Sequence, residues 1–206
     1  MSNQPVGPWV YFFAGDCAQK AEGRFDRYAV EQIVPVKSES FFTGKTASLV
    51  RLETPVPLSP ECSLEAEFRG VVRHLQYTTQ AHRTELQARS AKEYPASNST
   101  SAVLIPIRKS AGWWGLAQDE QQAHFHKPAS RETHATIGFE FADKIYRRLY
   151  HSRYFDTLPA YDFLTYFEFP KEAAGAFKEL LKGLRDVERN PEWKFVERET
   201  EIWMSR

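Results

Sequence analysis

Cysteine is nearly missing: Cys17 and Cys62 are the two thiols of a 206-residue chain. Two cannot build a disulfide framework or a thiolate metal cage, and a reduced, cytoplasmic protein is the expectation. A surplus of either charge is missing too, since 27 Lys plus Arg balance 27 Asp plus Glu. A general nucleic-acid binder needs a basic excess to neutralise phosphates, so no nucleic-acid partner is expected. No apolar run approaches the ~20 residues of a membrane helix, so no membrane partner is expected either. Met1 to Pro8 is polar and lacks the basic-then-apolar order of a secretion leader. Gly44-Lys45-Thr46 ends like a phosphate loop, but Glu39 stands where that loop needs its first glycine. Backbone amides cannot wrap a phosphate there.

What the chain does have is aromatic surface: 15 Phe, 9 Tyr and 5 Trp, 14% of all residues. Such rings serve a core, an interface or a planar ligand. Trp9–Phe13 reads as a strand stopped by Gly15 and Asp16. Residues 25–34 read as weakly helical, and Thr46–Glu53 as a strand. Pro55, Pro57 and Pro60 mark a linker, because neither a helix nor a central strand tolerates them. They divide a smaller first part, 1–60, from a longer second part, 61–206.

In the second part Ala66–Tyr77 reads as a strand. Thr78 or Thr79 can cap a helix to about Lys92, ended by Tyr94-Pro95. Ala102–Ile107 is an apolar strand, Ala111 to His124 a helix, and Arg131 begins another. Phe163–Phe169 is a strand, followed by an amphipathic helix from Pro170 with Ala174, Phe177, Leu181, Leu184 and Val187 on one face. Asn190-Pro191 stops it, and Trp193–Trp203 closes the chain as a strand. Strands alternating with helices in this order predict an α+β, ferredoxin-like layout with helices over one face of a mostly antiparallel sheet.

Several side chains carry chemistry in principle. His124 and His126 have a spacing that suits zinc on a strand, but they read as a loop after a helix, with no nearby Cys or HExxH. The run Arg147–Arg153 is either a solvated helix face or an anion site. Trp113 and Trp114 must face opposite ways on a helix, one to the core and one to a cleft or a second copy. His134, beside Ile137 and Phe141, is either a satisfied core imidazole or a metal ligand. With no second protein donor in sight, haem is the metal group that such a ligand suits, because the macrocycle supplies the other donors.

The combination is more specific than its members. Leu104 to Trp114 (LIPIRKSAGWW), Gln118-Asp119-Glu120, His134, Arg147 to Arg153 (RRLYHSR), Asp162 to Glu168 (DFLTYFE) and Glu192 to Glu199 (EWKFVERE) occur in this order. Together, from about Gly70 to Ile202, they resemble the chlorite dismutase family, most closely its short, dimeric branch. The resemblance implies two fused ferredoxin-like halves of dimeric α/β-barrel type, the first shortened, with haem b in the second. It implies His134 as the iron ligand and Arg147, thirteen residues on, as a mobile distal arginine. Lys109, Trp113 and Tyr77 match haem-contacting residues, and Glu188 best matches the carboxylate that accepts from the ligand imidazole. The implied activity is conversion of chlorite to chloride and dioxygen by a homodimer, with chlorite or another small anion as ligand. Peroxidase, coproheme decarboxylase, and haem carrier or sensor are the alternatives on the same fold.

One geometric condition follows. An unbroken helix from 134 to 147 would hold the two side chains ~20 Å apart along its axis. They could not then flank one iron, so a break between Gly138 and Asp143 is predicted. Asp143 stands where relatives often have Pro, and Gln121 where they often have Arg. Arg89 and Ser90 occupy the region of a distal glutamine, and 156–160 lengthens a loop.

Overall fold

The computed structural model describes residues 9–15, 25–41, 48–52, 64–72, 80–91, 100–125, 134–155 and 160–205. The strands among them are β1 (Trp9–Gly15), β2 (Phe25–Lys37), β3 (Ser48–Leu52), β4 (Leu64–Val71), β5 (Thr100–Lys109), β6 (Tyr146–His151), β7 (Phe163–Pro170) and β8 (Val196–Ser205). The helices are α1 (Gln80–Arg89), α2 (Ala111–Trp114), α3 (Gln118–Phe125), α4 (His134–Phe139) and α5 (Ala174–Arg185). The fold is α+β. Its strands, all paired antiparallel, close into a barrel in the order β1-β3-β2-β8-β5-β7-β6-β4, with β4 returning to β1. Counted within each set of four, β4-β1-β3-β2 and β8-β5-β7-β6 repeat one arrangement, 4-1-3-2.

Alternation along the strands builds two cores. Val10, Phe12, Tyr28, Leu49, Phe68, Leu104, Tyr150, Tyr166 and Ile202 come from all eight strands and fill the barrel. On β5 and β7 the other face is buried as well. Val103, Ile105, Phe167 and Phe169 meet Ile137 of α4 and Phe177, Leu180 and Leu181 of α5. Two buried faces explain why these strands read as nearly continuous apolar runs.

The structure revises several local expectations. Residues 25–34 lie in β2, not in a helix. Val30, Ile33, Val34 and Val36 favour a pleated surface, and β2 is paired on both edges, with β3 and β8. Pro35 sits beside a register shift in that pairing, where a missing N–H is tolerated. The helix read over 111–124 is two, α2 and α3, because the Glu120 carboxylate accepts from the Ala117 amide at 2.8 Å and starts a fresh first turn. The last strand begins at Val196, not Trp193, because Pro191–Phe195 forms a 3-10 turn. β4, grouped with the second part from sequence, pairs with β1 along its length and completes the first set of four. The linker prolines, the Thr78–Thr79 cap and Tyr94-Pro95 lie outside the described residues.

Candidate functional site

α4 opens on His134 and ends at Phe139. Turns over 140–144 then release the chain into β6, so the break falls where the geometric condition required it. The segment beyond is a strand rather than a second helix. Strand alternation aims Arg147, Leu149 and His151 outward from the barrel, beside Phe163, Thr165 and Phe167 of the paired β7. His134 and Arg147, thirteen residues apart, thereby meet: Arg147 Nη2 lies 3.1 Å from His134 Nε2.

The other ring nitrogen is held from below. His134 Nδ1 lies 2.7 Å from Glu192 Oε2. The second Glu192 oxygen accepts from Lys109 Nζ, and both of these side chains are buried. Lys109 also stands 4.9 Å above the Trp113 ring. The Lys109 amide donates to Asp162 Oδ2 at 2.7 Å, and Arg153 donates to the other Asp162 oxygen at 2.7 Å. Phe125 packs edge-on to the His134 ring, and Trp113 packs on Phe125 and Phe195. The carboxylate partner of His134 is therefore Glu192, not Glu188. Glu188 lies exposed in the turn after α5, where its amide donates to Asp186 Oδ1 at 2.9 Å. Pro191 opens the 3-10 turn, and that turn brings Glu192 into the site.

These neighbours fix the electrostatics. Burial lowers the His134 pKa, and Arg147 and Lys109 push it the same way against the opposing pull of Glu192. Burial alone would raise Glu192, but Lys109 and His134 outweigh it and hold the carboxyl well below its ordinary range. A neutral imidazole donating from Nδ1 to a carboxylate keeps its lone pair on Nε2.

That nitrogen faces a cavity of about 600 Å³, within the range of cofactor pockets. Ile105, Ile107, Trp113, Phe163 and Phe167 make its walls apolar, and Arg147, Arg148 and Arg153 bring cations to it. Among the described residues no group of three or more His, Cys, Asp or Glu gathers to cage a metal. One oriented imidazole at an aromatic cavity fits an iron whose remaining donors come from a planar macrocycle. An iron held at Nε2 would take the place of the Arg147 guanidinium that lies against that nitrogen in this structure.

His134, Arg147, Lys109 and Trp113 are thus brought together, while Tyr77 lies outside the described residues. His126 does too, and His124 packs against Trp113 and Phe195. Glu192 and Asp162 were not singled out from sequence, although both stand inside the stretches that carried the resemblance.

No family model matches the chain. The chlorite dismutase of Ideonella dechloratans is 33% identical over 122 residues, which are 59% of this chain and 39% of that protein. The match thus spans well under half of that relative. Among solved structures, a variant chlorite dismutase from Candidatus Nitrospira defluvii covers 97% of this chain and 92% of its own at 18% identity and a TM-score of 0.67, a likeness of fold. The dimeric chlorite dismutase of Nitrobacter winogradskyi reaches a TM-score of 0.74 at 33% identity, over 96% of this chain and 99% of that one. A likeness at that identity, running almost end to end in both chains, reaches past the fold, and the chain belongs to the chlorite dismutase family.

Proposed function

We propose that this protein is a haem b enzyme that converts chlorite to chloride and dioxygen. The observation that carries the reading is the His134 ring, fixed through Nδ1 by Glu192, with Nε2 and the Arg147 guanidinium at one apolar cavity. When bound, a haem would supply the redox chemistry of oxygen-atom transfer. His134 is the residue that would hold the iron, and Glu192 orients the ring and makes it a stronger donor. Arg147 binds the chlorite anion by charge-assisted hydrogen bonds. It would then hold the chlorine-bearing fragment in the cavity until dioxygen has formed and chloride leaves. Ile105, Phe163 and Phe167 keep water away, which strengthens the guanidinium's hold.

The reading extends to the whole molecule. The 4-1-3-2 order in each set of four supports two ferredoxin-like halves fused in one chain. The dimeric Nitrobacter relative supports a homodimer, to be checked by light scattering.

An oxygen electrode tests the activity. Haem-reconstituted protein evolves dioxygen on addition of chlorite, and its ferric Soret band is absent from His134→Ala. Arg147→Ala keeps the band, loses turnover by about 10²–10³-fold, and releases more hypochlorite. An unchanged oxygen yield in Arg147→Ala rejects the role given to the guanidinium.

A further inference from the structure

Behind Lys109 the buried charges continue. β8 turns Glu199, Glu201 and Trp203 to one face by strand alternation, and α5 ends on Arg185 opposite them. Arg185 Nε donates to Glu199 Oε1 at 2.9 Å, and its Nη1 lies 2.6 Å from Glu201 Oε1. Trp203 Nε1 donates to the second Glu201 oxygen at 2.5 Å. Glu199 and Glu201 are both buried, and Glu199, Arg185, Lys109 and Glu192 line the same cavity. β5 places Lys109 two residues beyond Ile107, and Ile107 is paired with Glu199 across the sheet. Burial raises the Glu199 pKa, with Glu201 adding to it, against the pull of Arg185 and, more weakly, of Lys109.

The signs alternate outward from the imidazole: Glu192, Lys109, Glu199, Arg185, Glu201. Two cations stand against three carboxylates, so with His134 neutral and all three ionised the cluster carries one negative charge in excess. Lys109 makes its ion pair with Glu192, and the Glu199 carboxylate, itself paired with Arg185, stands next along the cavity wall.

We propose that Glu199 is a positioning residue for His134. It acts through Lys109, and Arg185 and Glu201 anchor it. Removing its charge leaves Lys109 to pull on Glu192 alone, which weakens the Glu192 hydrogen bond to Nδ1 and makes the imidazole a poorer electron donor. The inference rests on the reading of His134 as an iron ligand, but it can be tested on each side of that reading.

In protein without haem, ¹⁵N-labelled histidine reports the His134 Nδ1–H directly. Glu199→Gln moves that resonance toward a weaker hydrogen bond, Glu199→Asp restores it in part, and Glu197→Gln leaves it in place. Glu197 is the control because its exposed carboxylate sits on the same strand and pairs with Arg108 at 3.3 Å. In haem-reconstituted protein, Glu199→Gln lowers the ferrous iron–histidine stretching frequency and raises the midpoint potential. Glu201→Gln, one link further out, gives smaller changes of the same sign and serves as the test where Glu199→Gln does not fold. Resonances and frequencies in Glu199→Gln and Glu201→Gln that match Glu197→Gln overturn the proposal. Loss of the iron–histidine mode from wild-type protein, with the nitrogen shift intact, instead overturns His134 as the ligand and leaves the charge chain standing.

Discussion

Which nitrogen of a histidine carries its proton is decided by the partner that the ring meets. Here Glu192 decides it, and Lys109 keeps Glu192 ionised. The cost of removing one member of such a buried trio is large, because the partners left behind stay buried without their countercharge. Glu192→Gln is therefore expected to destabilise the fold by about 3 kcal/mol. Glu188→Gln, at an exposed turn, stays within about 0.5 kcal/mol of the parent. Urea unfolding of the two variants checks this, and equal midpoints would contradict the assignment of the carboxylate. His134 and Arg147 stood out from sequence only in combination, because each alone left a bland reading open and the ordered set of motifs singled them out. Glu192 was not, for a physical reason. Glu188 and Glu192 are the same residue type four positions apart, and only the 3-10 turn opened by Pro191 determines which of them reaches the ring.

Elements read well where one period dominates and poorly where pairing decides. The apolar stripe of α5 names its buried face with Phe177 and Leu181 inside, but Val187, read as its last member, lies beyond the helix end at Arg185 and is exposed. β5 and β7 stand out as apolar runs because both of their faces are covered. β2 was misread because its residues 25–34 mix charged and apolar side chains without a clean period, and strand neighbours on both edges settle the matter. Barrel closure came only with the family resemblance and not from the strand patterns, since among the described residues it rests on a seam between β4 and β6 with a single paired position, Val71 with His151. Gly70 is required there: a Cβ on it would come within 2.6 Å of the Tyr150 Cβ and 3.2 Å of Ser152 Oγ. The first contact is with an atom fixed to the backbone, so neither strand can yield without opening the seam. Gly70→Ala is expected to cost about 1–3 kcal/mol. Gly175→Ala is the matched control, because that position in α5 has nothing within 4 Å. It should gain about 0.5–1 kcal/mol from helix propensity. Opposite shifts in the urea midpoint support the seam, and a Gly70→Ala variant as stable as its parent would show that the strands separate freely there.

The whole barrel closes around polar groups as well as apolar ones. Tyr28 and Tyr166 join hydroxyls at 2.7 Å, and Tyr166 donates to Glu168. Arg51 lies 4.6 Å over the Tyr166 ring and 4.0 Å from Glu168 Oε1. It also lies 3.4 Å from Asp26 Oδ2. These side chains come from β2, β3 and β7, so the cluster ties the two sets of four strands together at the centre of the molecule. Its ionisation behaviour follows from where it sits. Burial, with Tyr28 and Glu168 adding to it against Arg51, holds the Tyr166 phenol well above its ordinary 10. As pH rises past 10, the unfolded chain therefore gives up this proton while the folded chain keeps it. The unfolded state then binds fewer protons, and stability falls with pH until the folded phenol ionises too. Each pH unit in that window costs up to about 1.4 kcal/mol through this one group. Tyr166→Phe removes the group from both states, so its stability should decline less steeply between pH 9 and about 11.5 than that of the parent. Its starting stability at neutral pH is lower, because Tyr28 and Glu168 lose a partner. Urea midpoints across that range read the slope separately from the starting value, and parallel declines in the two proteins would mean that the barrel centre admits hydroxide and is not the closed interior described here.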